Sequence, residues 1–154
     1  MRTAYRVLAY LVVLEVVIQA AAIAYAISGL GNWIQDGGVL DKATMESDSV
    51  NFTGFIGFIV HGLNGQFLVP LIGLLLLNVS FFAKVPRGVV WAGLLFLLII
   101  VQVLLGIFAR GGLPVLGLLH GLNALVLFTI ALVAARQASS TAGAAHRARQ
   151  AARV

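Results

Sequence analysis

Two of the three histidines in this 154-residue chain lie in identical tetrapeptides, HGLN, and each tetrapeptide sits inside a long apolar stretch. His61 occurs in FIVHGLNGQF and His120 in GLLHGLNALV. An imidazole ring is costly to bury in an apolar medium unless it has a hydrogen-bond partner or a metal. Neutral imidazole is also a common protein ligand for iron and other transition metals. The repeated motif therefore makes His61 and His120 candidate ligands of one metal.

The elements that carry these histidines are predicted by the apolar content of the chain. Hydrophobic residues make up 61% of it and charged residues 10%, and the mean hydropathy of +1.05 excludes an ordinary soluble domain. A helix of about 20 apolar residues crosses the ~30 Å hydrocarbon core of a bilayer. Such runs occur at residues 5–27, 54–82, 89–109 and 114–135. We expect an all-α integral membrane protein whose four transmembrane helices form a bundle.

The placement of charge predicts the orientation of this bundle. Four of the five acidic residues lie in the loop 28–53, whereas most basic residues flank the other ends of the helices. The positive-inside rule then places both termini in the cytoplasm, the loop 28–53 outside, and the chain in the plasma membrane. The helical domain is predicted at 1–136 and a basic cytoplasmic tail at 137–154. The basic residues carry no interleaved aromatic side chains, so a nucleic-acid partner is not expected.

An internal repeat is predicted by aligning the two HGLN copies. The second helix then matches the fourth, and the first matches the third. Arg6 opens the first helix as Arg87 opens the third, and each of these helices carries one glutamine in its interior, Gln19 and Gln102. The bundle is therefore expected to consist of two parallel helix-pair repeats.

The two histidines are predicted to lie at matching depth near the outer face. At 1.5 Å per residue, His61 lies about 10 Å below Gly54 and His120 about 9 Å below Pro114. Two level imidazoles on parallel helices of a four-helix bundle can ligate haem iron from opposite sides. Zinc is disfavoured because the chain has no cysteine and no carboxylate beside either histidine. The expected cofactor is haem b.

Other residues are candidates for a role around the cofactor. Glycines near each histidine would leave room for a flat macrocycle, and an asparagine follows each histidine by three residues, where it can orient the imidazole or bond a neighbouring helix. A cation at the outer end of the third helix would pair with haem propionates. These candidates are Gly57, Gly62, Gly65, Gly117, Gly121, Asn64, Asn123, Gln19, Gln102 and Arg110.

The segment QVLLGIFARGG, residues 102–112, has the pattern Gln-x-x-x-Gly-x-x-x-Arg and precedes a histidine helix. This arrangement resembles the haem A synthase family, whose two four-helix halves each carry one histidine on the second and fourth helices. Over residues 5–136 the chain looks like a single half. The resemblance implies a haem site near the outer face, with His61 and His120 as the iron ligands.

The chain departs from that family in two respects. In the catalytic half of the family, an acidic residue within one turn before the first histidine assists oxidation of a haem methyl group, whereas residues 57–60 here read GFIV. The cysteine pair that many bacterial members carry in the first external loop is also absent. The resemblance is thus closer to the half that binds haem b without oxidising it. Synthase-like activity would require a partner or a second copy to supply the acid.

Two alternatives of other classes follow from the same residues. The chain could be a cofactor-free membrane scaffold or accessory subunit in which histidines and asparagines join helices. It could also be a small proton-coupled transporter or quinone-site subunit, with the histidines as proton groups and a kink at Pro70. Expected partners are the lipid bilayer, a second copy or another membrane subunit, and a quinone or redox partner.

Overall fold

The part of the chain that the structure describes is mainly helical. The computed structural model describes residues 1–47 and 50–151, with side chains up to residue 139 apart from Met45. No strand occurs among these residues. The helices are α1 (Arg2–Gln35), α2 (Lys42–Glu46), α3 (Phe55–Leu63), a π-helix (Asn64–Leu68), α4 (Val69–Ser80), α5 (Gly88–Ala109) and α6 (Pro114–Ala151).

Four helical stretches are long and apolar enough to cross a membrane. They are Arg2–Gln35, Phe55–Ser80, Gly88–Ala109 and Pro114–Ser139. The four predicted spans are therefore confirmed as helices, and α5 and α6 begin within one residue of the predicted positions. Most large apolar side chains on these helices are exposed rather than buried. This is the pattern of a multi-pass membrane protein, whose outer surface faces lipid.

The first helix is longer than its sequence suggested. The glycines of SGLGNW indicated a turn after residue 27, but α1 continues to Gln35 and the chain turns at Gly37, which has φ +98°. Glycine is required at position 29 of the helix, because a Cβ there would overlap the carbonyl group of Thr53. The segment between α1 and α3 is correspondingly shorter than the predicted loop 28–53. Its helix α2 falls inside the stretch VLDKATMES.

The chain divides into two compact units, a larger one (residues 1–16 and 67–154) and a smaller one (17–66). The larger unit has a core of small and aliphatic side chains from α1, α4, α5 and α6. Tyr5 is fully buried in this core, and its hydroxyl donates a hydrogen bond to the carbonyl of Gly88 at 3.2 Å. The buried members of the core are Tyr5, Ala9, Val12, Val69, Ile72, Leu76, Ala83, Val85, Ala92, Leu95, Ile99, Leu127, Ala131, Ala134, Ala135 and Ala138.

The smaller unit is held together by close backbone contact between α1 and α3. A Cβ on Gly57 would overlap the carbonyl oxygen of Ala22, so the glycine lets the two helices approach each other. Outside the helices, the ring of Phe52 stacks on Trp33 with centroids 6.0 Å apart and meets Phe58 edge to face. Gly57 is thus used for helix packing, which corrects its predicted role in making room for a macrocycle.

The second span is interrupted directly after its histidine. Residues Asn64–Leu68 form a π-helix, and Pro70 follows in the first turn of α4. Proline has no N–H to bond the carbonyl four residues back, so a regular α-helical ladder cannot continue through it. Single-turn π segments in α-helices often occur at functional sites. A π-helical turn therefore precedes Pro70, where the kink is predicted, and begins three residues after His61.

Candidate histidine and glutamine site

His120 lies on α6 and is anchored to the main chain of α5. Its Nδ1 is 3.0 Å from the carbonyl oxygen of Gln102. A carbonyl can only accept, so Nδ1 carries the proton and donates it. Gly106 on α5 faces the same ring, because a Cβ at Gly106 would lie 3.1 Å from Cε1 and 3.3 Å from Nδ1 of His120. The glycine therefore allows the half-buried imidazole to lie directly against α5.

Asn123, one turn after His120, joins the same two helices. Its Nδ2 donates to the carbonyl oxygen of Leu98 at 3.0 Å and to Oε1 of Gln102 at 2.7 Å. Gln102 therefore accepts twice, through its main chain from His120 and through its side chain from Asn123. Of the two roles predicted for this asparagine, the structure shows the bond to a neighbouring helix.

His61 is anchored in the smaller unit by the same kind of bond. Its Nδ1 is 3.1 Å from the carbonyl oxygen of Gln19, the interior glutamine of α1. A glycine again lies next to the glutamine, since a Cβ at Gly65 would be 3.2 Å from Oε1 of Gln19. In both histidines a main-chain carbonyl fixes the proton on Nδ1 and leaves the lone pair on Nε2. This is the tautomer in which Nε2 can ligate a metal.

One polar atom beside His61 lacks a partner. Nε2 of Gln19 is buried and has no hydrogen bond to any residue that the structure describes. Buried amide donors are nearly always satisfied in folded proteins, and an exception calls for a specific explanation such as a ligand or water. The smaller unit thus contains a buried donor next to a histidine whose ring orientation is fixed.

Open space lies beside His120 on α6. A Cβ at Gly117 or at Gly121 would meet no atom within 4 Å. Gly117 precedes the histidine by three residues and is near its face of the helix, whereas Gly121 follows it directly and lies about 100° round the helix. Neither glycine is required for packing inside the larger unit. Their positions are compatible with a flat ligand close to the helix backbone.

The remaining predicted residues lie at the ends of helices or next to His61. Arg110 is exposed at the C-cap of α5, beyond Gly106. Asn64 opens the π-helix and Gly62 is half-buried beside His61. Within residues 1–47 and 50–151, no group of three or more His, Cys, Asp or Glu side chains is arranged to hold a metal ion. Axial ligation of haem requires only two histidines, so that observation leaves the haem prediction open.

Sequence reasoning missed two features of this site. It identified Gln19 and Gln102 as candidates near the cofactor, but it did not predict that their main-chain carbonyls accept the histidine bonds. It also missed the contact of Gly106 with His120. Only the contact of Gly106 had a signal, in QVLLGIFARGG, where Gln102 and Gly106 are four residues apart and therefore on one helix face.

Comparisons of the chain with protein-family models, curated proteins and solved structures found no match. A function must therefore be inferred from the geometry around the two histidines.

Proposed function

We propose that this chain is a membrane protein that binds b-type haem through His61 and His120, near the outer face of the plasma membrane. The observation that carries the proposal is the repeated anchor, in which each histidine donates from Nδ1 to the main-chain carbonyl of an interior glutamine. This repetition also supports an architecture of two parallel helix-pair repeats. Electron transfer or haem handling, as in one half of a haem A synthase, is the activity that follows.

The donor chemistry fits haem iron. A histidine ligand whose other ring nitrogen donates to a carbonyl is held in one tautomer and one orientation, and its basicity is increased. Two such neutral imidazoles are axial ligands of a kind that haem iron accepts. The unsatisfied Nε2 of Gln19 further supports a ligand in the smaller unit, and the exposed glycines Gly117 and Gly121 place no side chain in the way of a ligand on α6. Haem, when bound, supplies one-electron chemistry.

The surrounding residues have secondary roles in this proposal. Gln19 and Gln102 fix the imidazoles, Asn123 fixes Gln102, and Asn64 and Gly62 lie beside His61. We assign Arg110 to the haem propionates, because it is a cation at the end of α5. No acid precedes His61 among residues 57–60, so the chain alone is not expected to oxidise a haem methyl group. A redox partner, a quinone, a second copy or another membrane subunit would complete the electron path.

The test is an absorption spectrum of the full chain purified in detergent. We expect a Soret band and split α and β bands after reduction, and we expect both His61→Ala and His120→Ala to lose them. His146→Ala is the matched control, because it removes the third histidine, which belongs to the predicted basic tail. Absence of a Soret band after growth with added haem, or its survival in both single variants, would exclude the axial-ligand role.

A cofactor-free scaffold is the second candidate. It is favoured by the bond from Asn123 to Gln102, which joins two helices without a ligand. Under this alternative, the double variant His61→Ala and His120→Ala would lower the free energy of unfolding in detergent while the visible spectrum stayed featureless. Under the haem proposal, the same double variant changes the spectrum of a protein that was coloured before substitution.

A further inference from the structure

A surface groove lies along the first turns of α1, in the larger unit. Most of the groove is lined by one stripe of α1, at positions i, i+1, i+4, i+5 and i+8, and α6 contributes a serine. The groove has a volume of about 540 Å³ and is lined by Arg6, Val7, Tyr10, Leu11, Leu14 and Ser139. All these residues belong to the larger unit. We call this feature the α1 groove.

The α1 groove combines a charged end with an apolar floor. Arg6 stands at one end, and along about 12 Å of helix beyond it the floor is formed by Val7, Leu11 and Leu14. Val7 is 48% exposed and Leu14 is 51% exposed. Tyr10 and Ser139 add hydroxyl groups to the wall. A ligand that fits this arrangement has an anionic head and a hydrocarbon tail.

The positive charge of Arg6 is not neutralised within the described part of the chain. No hydrogen bond or ion pair of Arg6 occurs among those residues, and the acid that follows on α1, Glu15, is buried about 13 Å further along the helix. Arg2 lies one turn before Arg6 on the same face, where its Nη2 donates to the carbonyl of Lys84 at 2.9 Å. Two cations therefore lie one turn apart at the start of α1, and of these Arg6 lines the groove.

Two further basic residues at this end of the larger unit have a strained backbone conformation. Lys84 and Arg87, in the turn between α4 and α5, have φ values of 52° and 54°, in the left-handed region that favours glycine. Basic side chains are thus retained where glycine would fit the backbone better. This end of the helices is suited to contact with anionic headgroups.

We propose that the α1 groove binds one anionic phospholipid. Its phosphodiester lies against Arg6, with the hydroxyls of Tyr10 and Ser139 nearby, and one acyl chain follows Val7, Leu11 and Leu14. A second copy of the chain would have to offer an acid to Arg6, but four of the five acids lie in the segment between α1 and α3. A quinone has a hydrocarbon tail but brings no negative charge to the cation. The phospholipid matches both the charge and the apolar floor.

The test is native mass spectrometry of the full chain in a neutral detergent, with phosphatidylglycerol or phosphatidylcholine of identical acyl chains. We expect the first lipid to be retained in preference to the second. Arg6→Gln should weaken retention of phosphatidylglycerol by about fivefold, the value for one lost cationic contact. Val7→Trp should reduce retention of both lipids, because the indole fills the floor. Val7 is exposed, so this variant is expected to fold.

Arg87→Gln is the matched control, since it removes the same charge at the same end of the unit but outside the groove. We expect it to keep the lipid preference. Equal losses in Arg6→Gln and Arg87→Gln would overturn the proposal in favour of general surface charge. Displacement by glycerol phosphate would show a soluble phosphate site instead, and a dimer that Arg6→Gln dissociates would show a second copy as the occupant. None of these results depends on the haem proposal.

Discussion

Gly106 is the residue at which the candidate site is most sensitive to a single methyl group. A Cβ there would lie 3.1 Å from Cε1 of His120, closer than ordinary van der Waals contact. The ring cannot move away freely, because its Nδ1 is bonded to Gln102 at 3.0 Å. The glycine thus allows the hydrogen bond and the close packing of the imidazole to exist together.

The first prediction compares Gly106→Ala with Gly93→Ala, both inside α5. Replacing a helical glycine by alanine stabilises a helix by roughly 0.5–1 kcal/mol when the new methyl group is not obstructed. A Cβ at Gly93 meets nothing within 4 Å, so Gly93→Ala should show this gain. Gly106→Ala should show less gain or a loss, because the imidazole must shift. The free energy of unfolding in detergent measures the difference, and equal gains would mean that the ring contact is unimportant.

If haem is bound, the two variants should also differ in colour. Gly106→Ala moves the ring of His120 and should shift the reduced α band, whereas Gly93→Ala should leave it in place. A shift of equal size in both variants would point to a general effect on α5. The spectrum and the stability therefore report separately on the histidine and on the helix.

Hydropathy predicted the helices that carry the two histidines. It predicted neither the full length of α1 nor the π-helix in the second span. The start of α6 at Pro114 and the end of α5 at Ala109 follow from apolar content and from proline at a first helical turn. The extension of α1 to Gln35 was not predicted, because the glycines of SGLGNW are typical of a turn, and the contact of Gly29 with Thr53 has no local sequence signal. The π-helix at Asn64–Leu68 was missed for a similar reason. A π-helical turn contains about one more residue than an α-helical turn, and the spacing of apolar residues does not distinguish the two.

The histidine site itself was predictable in residue type and only partly in geometry. The HGLN repeat identified both histidines, and the matching positions of Gln19 and Gln102 inside the first and third helices identified both glutamines as candidates. The hydrogen bonds use the main-chain carbonyls of Gln19 and Gln102. A main-chain acceptor has no sequence signature, so no pattern could specify it.

The short helix α2 supplies a prediction of pH dependence. Asp41 caps it, with Oδ1 accepting from the backbone N–H of Thr44 at 2.7 Å. Hydrogen bonding by Thr44 stabilises the charged carboxylate and holds the pKa of Asp41 below its ordinary value. A lowered folded-state pKa means that the cap contributes stability fully above the unfolded pKa of about 3.9 and loses it as the pH falls further.

We therefore expect α2 to be intact at neutral pH and to fray only below about pH 4. The amide shift of Thr44, measured by NMR in micelles, should move with the titration of Asp41. In Asp41→Asn the cap is retained by a side chain that does not titrate, so the Thr44 shift should become independent of pH. A Thr44 amide that moves equally in both proteins would show that another group controls this helix.

The distribution of charge over the whole molecule predicts which face of the membrane the two histidines approach, and the proposed haem site depends on that face. His61 lies near the start of the second span and His120 near the start of the fourth. Four of the five acids lie in the segment that precedes the second span, and basic residues cluster before the first span and after the fourth. Under the positive-inside rule, the proposed orientation has the histidines in the outer half of the bilayer and the α1 groove in the inner half.

The chain contains no cysteine, so this topology can be tested with single introduced thiols and no background. We expect Lys42→Cys, whose parent side chain is 87% exposed, to react with a membrane-impermeant maleimide applied to intact cells. Arg149→Cys in the basic tail should react only after permeabilisation. Arg110→Cys should label with Lys42→Cys, because an odd number of spans separates it from the tail. Labelling of the tail from outside, with Lys42→Cys protected, would show that the bundle has the opposite orientation. Both histidines would then lie on the cytoplasmic side, and a haem site near the outer face would be excluded.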